Sequence, residues 1–187
     1  MKRMIRAFDG FLRCQEAVFE FDDDPLGMLR GQFNSASRDL VISGRRIAAG
    51  SPVFQIHIWN EHIPSMPDAG PDLGWAARVY GRLIASFRKL AGRLKTDPAY
   101  AGIEAVIGET VLVQDDAGSI NKLFLRLGFS VVPYRSPLGR FGEFWENFYS
   151  WWIIWAYNQA SLRSHHLWKL RRSQIVIFRE DFLRRYG

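Results

Sequence analysis

A single cysteine, Cys14, is the only thiol in this 187-residue chain. An internal disulfide is therefore excluded, as is any metal site built on several cysteines. Such sparing use of cysteine fits a reducing compartment. Histidine is scarce too, with four in the chain. No stretch of about twenty apolar residues occurs, so no membrane-spanning helix is expected. The basic start MKRMIRAFDGFL has no apolar run of signal-peptide length behind it, because Arg6, Asp9 and Arg13 interrupt. These absences together lead to the expectation of a cytoplasmic protein. Internal repeats and low-complexity tracts are lacking as well.

What is present is an ordinary globular composition with two biases. Hydrophobic residues make up 48% and charged residues 24%, enough for a sizeable core in one domain spanning 1–187. The first bias is charge: a net +6 and a pI near 9.8 point toward acidic partners such as nucleic acid, phosphate-bearing cofactors or anionic lipid. The basic residues are scattered, however, and no zinc-finger pattern, RNP-like strand or compact basic helix stands out, so nucleic acid is not the expected partner. The second bias is aromatic: five of the seven tryptophans follow residue 144.

The chain is organised around PVFQIHIWNEHIPSMPDAGPDLGWA, residues 52–76. It reads as a strand, a turn rich in proline and glycine, and the start of a long helix. Alternation along 52–59 sets Phe54, Ile56 and Ile58 on a core face. Val53, Gln55, His57 and Trp59 form a mixed face suited to a pocket floor. His57, Asn60, Glu61 and His62 cluster at the strand end, although His57 reads equally as a buried histidine with one hydrogen-bond partner. Asp72 is a candidate N-cap for a helix over 72–95, whose apolar stripe runs through Ala76, Tyr80, Leu83, Ile84, Phe87, Leu90, Ala91 and Leu94. Thr96-Asp97-Pro98 stops it. Arg78 and Arg82 lie near the helix start, where free N–H groups can receive an anion; Lys89 and Arg93 read as a solvated face.

Before this stretch, residues 11–21 suggest a strand ending at the turn Asp22-Asp23-Asp24-Pro25, a triple aspartate better explained as a solvated turn than as a cation site. Residues 28–51 read as two short strands or as a helix and a strand, with DLVISGRRI as a hairpin. After it, 102–113 is a strand, SINKLFLRLGF a short helix, FSVVPY a strand, and 135–142 a linker. EFWENFYSWWIIWAYNQASL reads either as a helix packed on the sheet or a partner subunit, or as an interfacial helix with tryptophans at lipid headgroups. The adjacent His165 and His166 would point apart on a helix and do not read as a metal pair. QIVIFREDFLRRYG looks like a last strand and a helical turn.

Two resemblances rest on particular residues. The order strand, long helix, strand, short helix, strand over 52–134, with Leu123-Phe124-Leu125-Arg126-Leu127-Gly128-Phe129, resembles the core of the GNAT acyltransferase superfamily. That resemblance implies an α+β sandwich with a mixed, mostly antiparallel sheet and a long helix packed on it, to which the composition of the tail adds an aromatic C-terminal helix. A GNAT-like core is expected over 1–134, with an aromatic and basic C-terminal extension at 143–187 packed on the core or on a partner. The resemblance also implies that strands 52–59 and 103–113 splay to admit acyl-CoA or acetyl-CoA. The superfamily's pyrophosphate turn is absent, and Pro64, Pro67 and Pro71 lack the N–H a phosphate needs. Donors remain at Ala69, Gly70, Leu73 and Gly74. Phe124 stands where a proton-donating tyrosine is usual, and Ala117 where asparagine is. The second resemblance is to the YkoP-like domain, sometimes fused to bacterial polysaccharide deacetylases. It is carried by Gly50-Ser51-Pro52-Val53, His57-Ile58-Trp59-Asn60-Glu61, the Leu127-Gly128-Phe129 segment and Arg179-Glu180-Asp181-Phe182-Leu183. It implies a bacterial, cell-envelope setting and supplies no catalytic residue.

Two functions are expected in competition. One is acyl transfer from acyl-CoA to an amine or hydroxyl of an envelope lipid or saccharide precursor, with His57 or Glu61 as general base. Asn60, Gly70, Leu73, Gly74 and Arg78 would then hold the cofactor. Both bases would share a strand face if the strand runs to residue 61. The other is a catalytically inactive module. It would bind an anionic membrane surface through residues 143–172, dock an envelope-biosynthesis enzyme, or pair with a second copy of itself, peripheral to the inner face of the membrane. No metal is expected: His57 and His62 are spaced as in no common ligand motif.

Overall fold

The computed structural model describes residues 17–22, 24–67, 69–70, 72–113, 117–134, 139 and 170–187. Cys14, Asp23, Pro71, most of the 135–142 linker and the aromatic-basic stretch 143–169 lie outside these residues, together with the expectations placed on them. Seven strands and three α-helices are described: β1 Leu29–Ser35, β2 Leu40–Ile42, β3 Arg45–Ile47, β4 Pro52–Ile58, α1 Leu73–Thr96, β5 Ala105–Val113, α2 Ala117–Arg126, β6 Ser130–Pro133, β7 Leu170–Phe178 and α3 Arg179–Tyr186. Five strands form one sheet in the order β1-β4-β5-β7-β6. Only the β4–β5 pair is parallel; the other three pairs are antiparallel. The fold is α+β with a mostly antiparallel sheet.

Each sheet face buries its own core. Phe54 and Ile56 of β4, Val106 of β5 and Ile175 and Ile177 of β7 pack under Phe87, Leu90 and Leu94 of α1 and Phe182 and Tyr186 of α3. On the opposite face Val53, Ala105, Ile107, Val176 and Phe178 are covered by Leu40, Ile42 and Ile47 of the β2–β3 hairpin. The hairpin turns at Ser43-Gly44, where both residues take positive φ, 51° and 79°. That is the tight turn whose twist suits antiparallel strands. Residues 28–51 thus hold three strands, one more than expected, because β1 is a separate edge strand beside β4.

Residues 17–21 do not form the expected strand. Phe19 makes one bridge, to Gly31, and the chain then turns Phe21 into the core. Gly31 makes room for this: a Cβ there would lie 2.0 Å from Phe54 Cζ and 3.1 Å from Phe21 Cδ1. In α1 the N-cap is Asp72, whose Oδ1 accepts from Trp75 N at 2.6 Å. The apolar stripe of α1 is buried from Ser86 onward only; Ala76 and Tyr80 are exposed. A 24-residue helix is about 36 Å long. A seven-residue strand such as β4 spans only about 23 Å, so the sheet cannot cover both ends.

The C-terminal strand and helix are longer than the expected strand and single turn, at nine and eight residues. Arg179 locks them to the body by donating from its guanidinium to the carbonyls of Leu94, Tyr100, Ala101 and Ile103. Tyr186 Oη donates to Leu127 O at 2.6 Å. The Leu127-Gly128-Phe129 segment serves packing: Leu127 and Phe129 are buried, and Gly128 leaves α2 at φ 85°. Among the described residues no helix is long and apolar enough to cross a membrane.

Candidate functional site

The parallel pair β4–β5 holds its register over four positions, from Val53–Ala105 to Ile56–Gly108. There the pairing ends, although β5 continues to Val113 hydrogen-bonded to β7 on its other side. Gly108 stands at the apex, with Ile56 and Ile175 so close that a Cβ would lie 3.0 and 3.1 Å from their Cγ1 atoms. One step further along each strand come His57 and Glu109, in phase with Gln55 and Ile107 and so directed to the hairpin-side face of the sheet.

Beyond the hairpin this face is polar. Arg30, Gln32 and Asn34 of β1 stand opposite His57, Gln55 and Val53, while Gln174 of β7 stands opposite Glu109. A side-chain chain crosses the sheet. Asn34 Nδ2 donates to Gln55 Oε1 at 2.8 Å, Gln55 Nε2 to Glu109 Oε1 at 3.4 Å, and Arg172 Nη1 to Glu109 Oε2 at 3.3 Å. The Arg172 guanidinium also lies 5.9 Å from the centroid of the Tyr134 ring. Buried amides keep their place in a core only when so bonded, and Gln55 is 7% exposed.

His57 Nε2 lies 3.2 Å from Gln32 Oε1. An amide oxygen only accepts, so Nε2 carries the proton and Nδ1 the lone pair. Burial, with the Arg30 charge beside it, pushes the His57 pKa down to about 4. The ring is therefore neutral at pH 7 and a weak base.

The remaining expected residues sit elsewhere. β4 ends at Ile58, so Glu61 does not share a strand face with His57; it lies on a 3-10 turn, Asn60–His62. Its Oε2 accepts from Trp59 Nε1 at 3.3 Å. Trp59 is held on both faces, with the Arg30 guanidinium 3.9 Å from its centroid and the His62 ring stacked at 3.5 Å. Two groups that close cannot share one face of an indole. His62 Nδ1 is in turn 2.7 Å from Gly27 O, and Arg82 Nη1 donates to His62 O at 3.0 Å. This turn is a clamp built around Trp59.

At the start of α1, Gly70 has φ 104° and Leu73 is 90% exposed. Arg78 folds back so that its Nη1 would stand 3.6 Å from a Cβ at Gly74, with Asp72 Oδ1 at 3.4 Å. An anion there would meet a guanidinium and a capping carboxylate together. Among the described residues no three potential metal ligands converge. A cleft of about 550 Å³ opens at the other end of the sheet, between the hairpin and α3. Its arginines are engaged as braces: Arg45 with Glu180 and Asp181, Arg184 with Asp181, and Arg185 with Arg126 O.

Sequence reasoning missed Glu109 and Arg30, and it put Arg172 in a basic run for anionic lipid, whereas Arg172 lies in β7 and pairs with Glu109. A signal existed, since Glu109 is a lone carboxylate in the middle of an apolar strand, directly after a glycine. No curated protein and no solved structure matches the chain. The family model of the YkoP domain matches residues 37–186, from the hairpin through both sheet cores to the last helix. With most of its length so matched, the chain belongs to the YkoP domain family.

Proposed function

We propose that this domain is GNAT-like and transfers an acyl group from acyl-CoA to an amine or hydroxyl of a cell-envelope lipid or saccharide precursor. The observation that carries the reading is the parting of β4 from β5 after Ile56–Gly108. Two parallel neighbours that separate midway leave backbone N–H and C=O groups facing a gap, where an extended amide-bearing arm can pair with them. His57 stands at that gap with a neutral ring. Gly70, in the connection from β4 into α1 with Asn60 before it, and Leu73, Gly74 and Arg78, in the first turns of α1, are the candidates to hold the CoA phosphates. Glu61, engaged by Trp59, is a less suitable base than the sequence suggested. Titration with acetyl-CoA and with palmitoyl-CoA by calorimetry tests the reading: saturable binding of either is expected, and no heat from both ends it.

A second reading has its own support. The weak basicity of His57, the Asp72 carboxylate at the helix start and the packing of Phe124 against Phe129 suit a module that binds without turnover. It would act at an anionic membrane surface or on an envelope-polysaccharide enzyme. Flotation with phosphatidylglycerol vesicles at low salt separates the two, since attraction between a basic protein and anionic lipid is strongest there. A protein left at the bottom of the gradient is not a lipid binder.

A further inference from the structure

We propose that Glu109 is the catalytic carboxylate of the opening between β4 and β5, the group that takes the proton of the attacking amine or hydroxyl. This rests on the acyl-transfer reading and names its base.

Register places the residue. The last parallel pair is Ile56–Gly108, so Glu109 is the first β5 side chain beyond the apex on the His57 face. Its backbone stays in the sheet, paired with Gln174 of β7, so the carboxylate is mounted on a strand and not on a loop. Rigid mounting of this kind is what holds a reacting group in productive geometry. The carboxylate is oriented from both sides, by Gln55 Nε2 of β4 and by Arg172 Nη1 of β7. Its side chain is 28% exposed, whereas the flanking Gln55 and Gln174 are 7% and 8% exposed as residues. Solvent therefore reaches this carboxylate at a place where the amides beside it are shut away.

The alternatives are less well placed. Glu61 lies past the end of β4 with its carboxylate on the Trp59 indole. The His57 ring donates through Nε2 to Gln32, and its remaining lone pair on Nδ1 is a weak base.

The step balances as follows. The acceptor's nitrogen or oxygen forms a bond to the thioester carbonyl carbon, and its proton passes to a Glu109 carboxylate oxygen. The C–S bond then breaks, and the departing CoA thiolate takes that proton from Glu109, restoring the carboxylate. No oxidant, reductant or metal is consumed.

Bromoacetyl-CoA tests the placement without an identified acceptor. A carboxylate beside the acyl group displaces bromide and forms an ester, which peptide mass spectrometry locates. An adduct at Glu109, suppressed at least tenfold by excess CoA and absent from Glu109→Gln, is expected. Calorimetry with acetyl-CoA runs beside it on the wild-type chain. If acetyl-CoA does not bind, the acyl-transfer reading itself falls. If it binds and no adduct forms at Glu109, or the CoA-protected adduct is at Glu61 or His57, the assignment of Glu109 is overturned. Turnover is then measured with acetyl-CoA and a panel of ethanolamine, glucosamine and spermidine. For any amine acylated, Glu109→Gln should lower kcat at least about a hundredfold with KM for acetyl-CoA unchanged. An unchanged kcat would overturn the role as well.

Discussion

The two ends of the β4–β5 pair are built to opposite specifications. At the Ala105 end both faces are sealed: Val53, Ala105 and Val106 are 0% exposed, with the hairpin on one side and the helices on the other. At the Gly108 end the strands part, and one face carries His57, Glu109, Gln55 and two arginines. Continuous backbone joins the two, so the sealed end fixes the geometry that the open end uses. Apolar burial stabilises by roughly 25 cal/mol per Å². A polar row contributes far less, because its hydrogen bonds replace those it made with water. Stability should therefore reside mainly at the sealed end.

Breaking the sealed end gives the largest effect. Phe182 is fully buried and packs edge-on to Phe87 at 5.7 Å. Phe182→Ala should lower unfolding free energy by about 3–5 kcal/mol, measured by urea denaturation. A loss below about 1 kcal/mol would mean that α3 is not a part of the core.

The open end should show itself through pH. The folded His57 pKa is about 4 against 6.5 ordinarily, so from pH 6.5 down to 4 the unfolded chain binds the extra proton. Stability attributable to this site is unchanged above pH 6.5 and falls as pH drops through that window, by up to about 3 kcal/mol. The slope of thermal stability between pH 6.5 and 4 should be shallower in His57→Gln. Equal slopes in the two proteins would place the ring in ordinary solvent.

Overfilling the β1 seam has an intermediate effect. Gly31→Ala puts a methyl group against Phe54, and a cost of about 1–3 kcal/mol is expected in the same denaturation experiment. An unaffected midpoint would show that the Phe21–Phe54 packing can move aside.

The smallest effect belongs to the surface brace. Arg45 contacts Glu180 and Asp181 at 3.0 Å, with its side chain 44% exposed. Arg45→Ala should cost about 0.5–1 kcal/mol, and less in high salt. A cost that salt does not diminish would assign the contribution to stacking on Phe178 instead.

Several family-like segments turn out to hold the fold together. Arg179 binds four carbonyls, Glu180 and Asp181 brace the hairpin, and Phe182 fills the core. Trp59 of the His57–Glu61 segment is the centre of a stacked clamp. Each was conspicuous in the sequence because it combines unusual residue types at short spacing. Only the packed structure separates such a brace from a site.

Local chemistry was sufficient to place much of the chain. The alternation in 52–58, the Asp72 cap and apolar period of α1, the Ser43-Gly44 turn and the stop at Asp97-Pro98 depend on neighbours a few residues away, and such preferences are written in order along the chain. The tertiary structure alone decided how far α1 is covered, because that depends on the length of the sheet beneath it. It also decided which carboxylate shares a sheet face with His57. Glu61 is four residues away and faces Trp59; Glu109 is on another strand, one step past the last parallel pair on the same face as His57. Proximity of that second kind follows from the register between segments separated by a whole helix, which no local preference encodes.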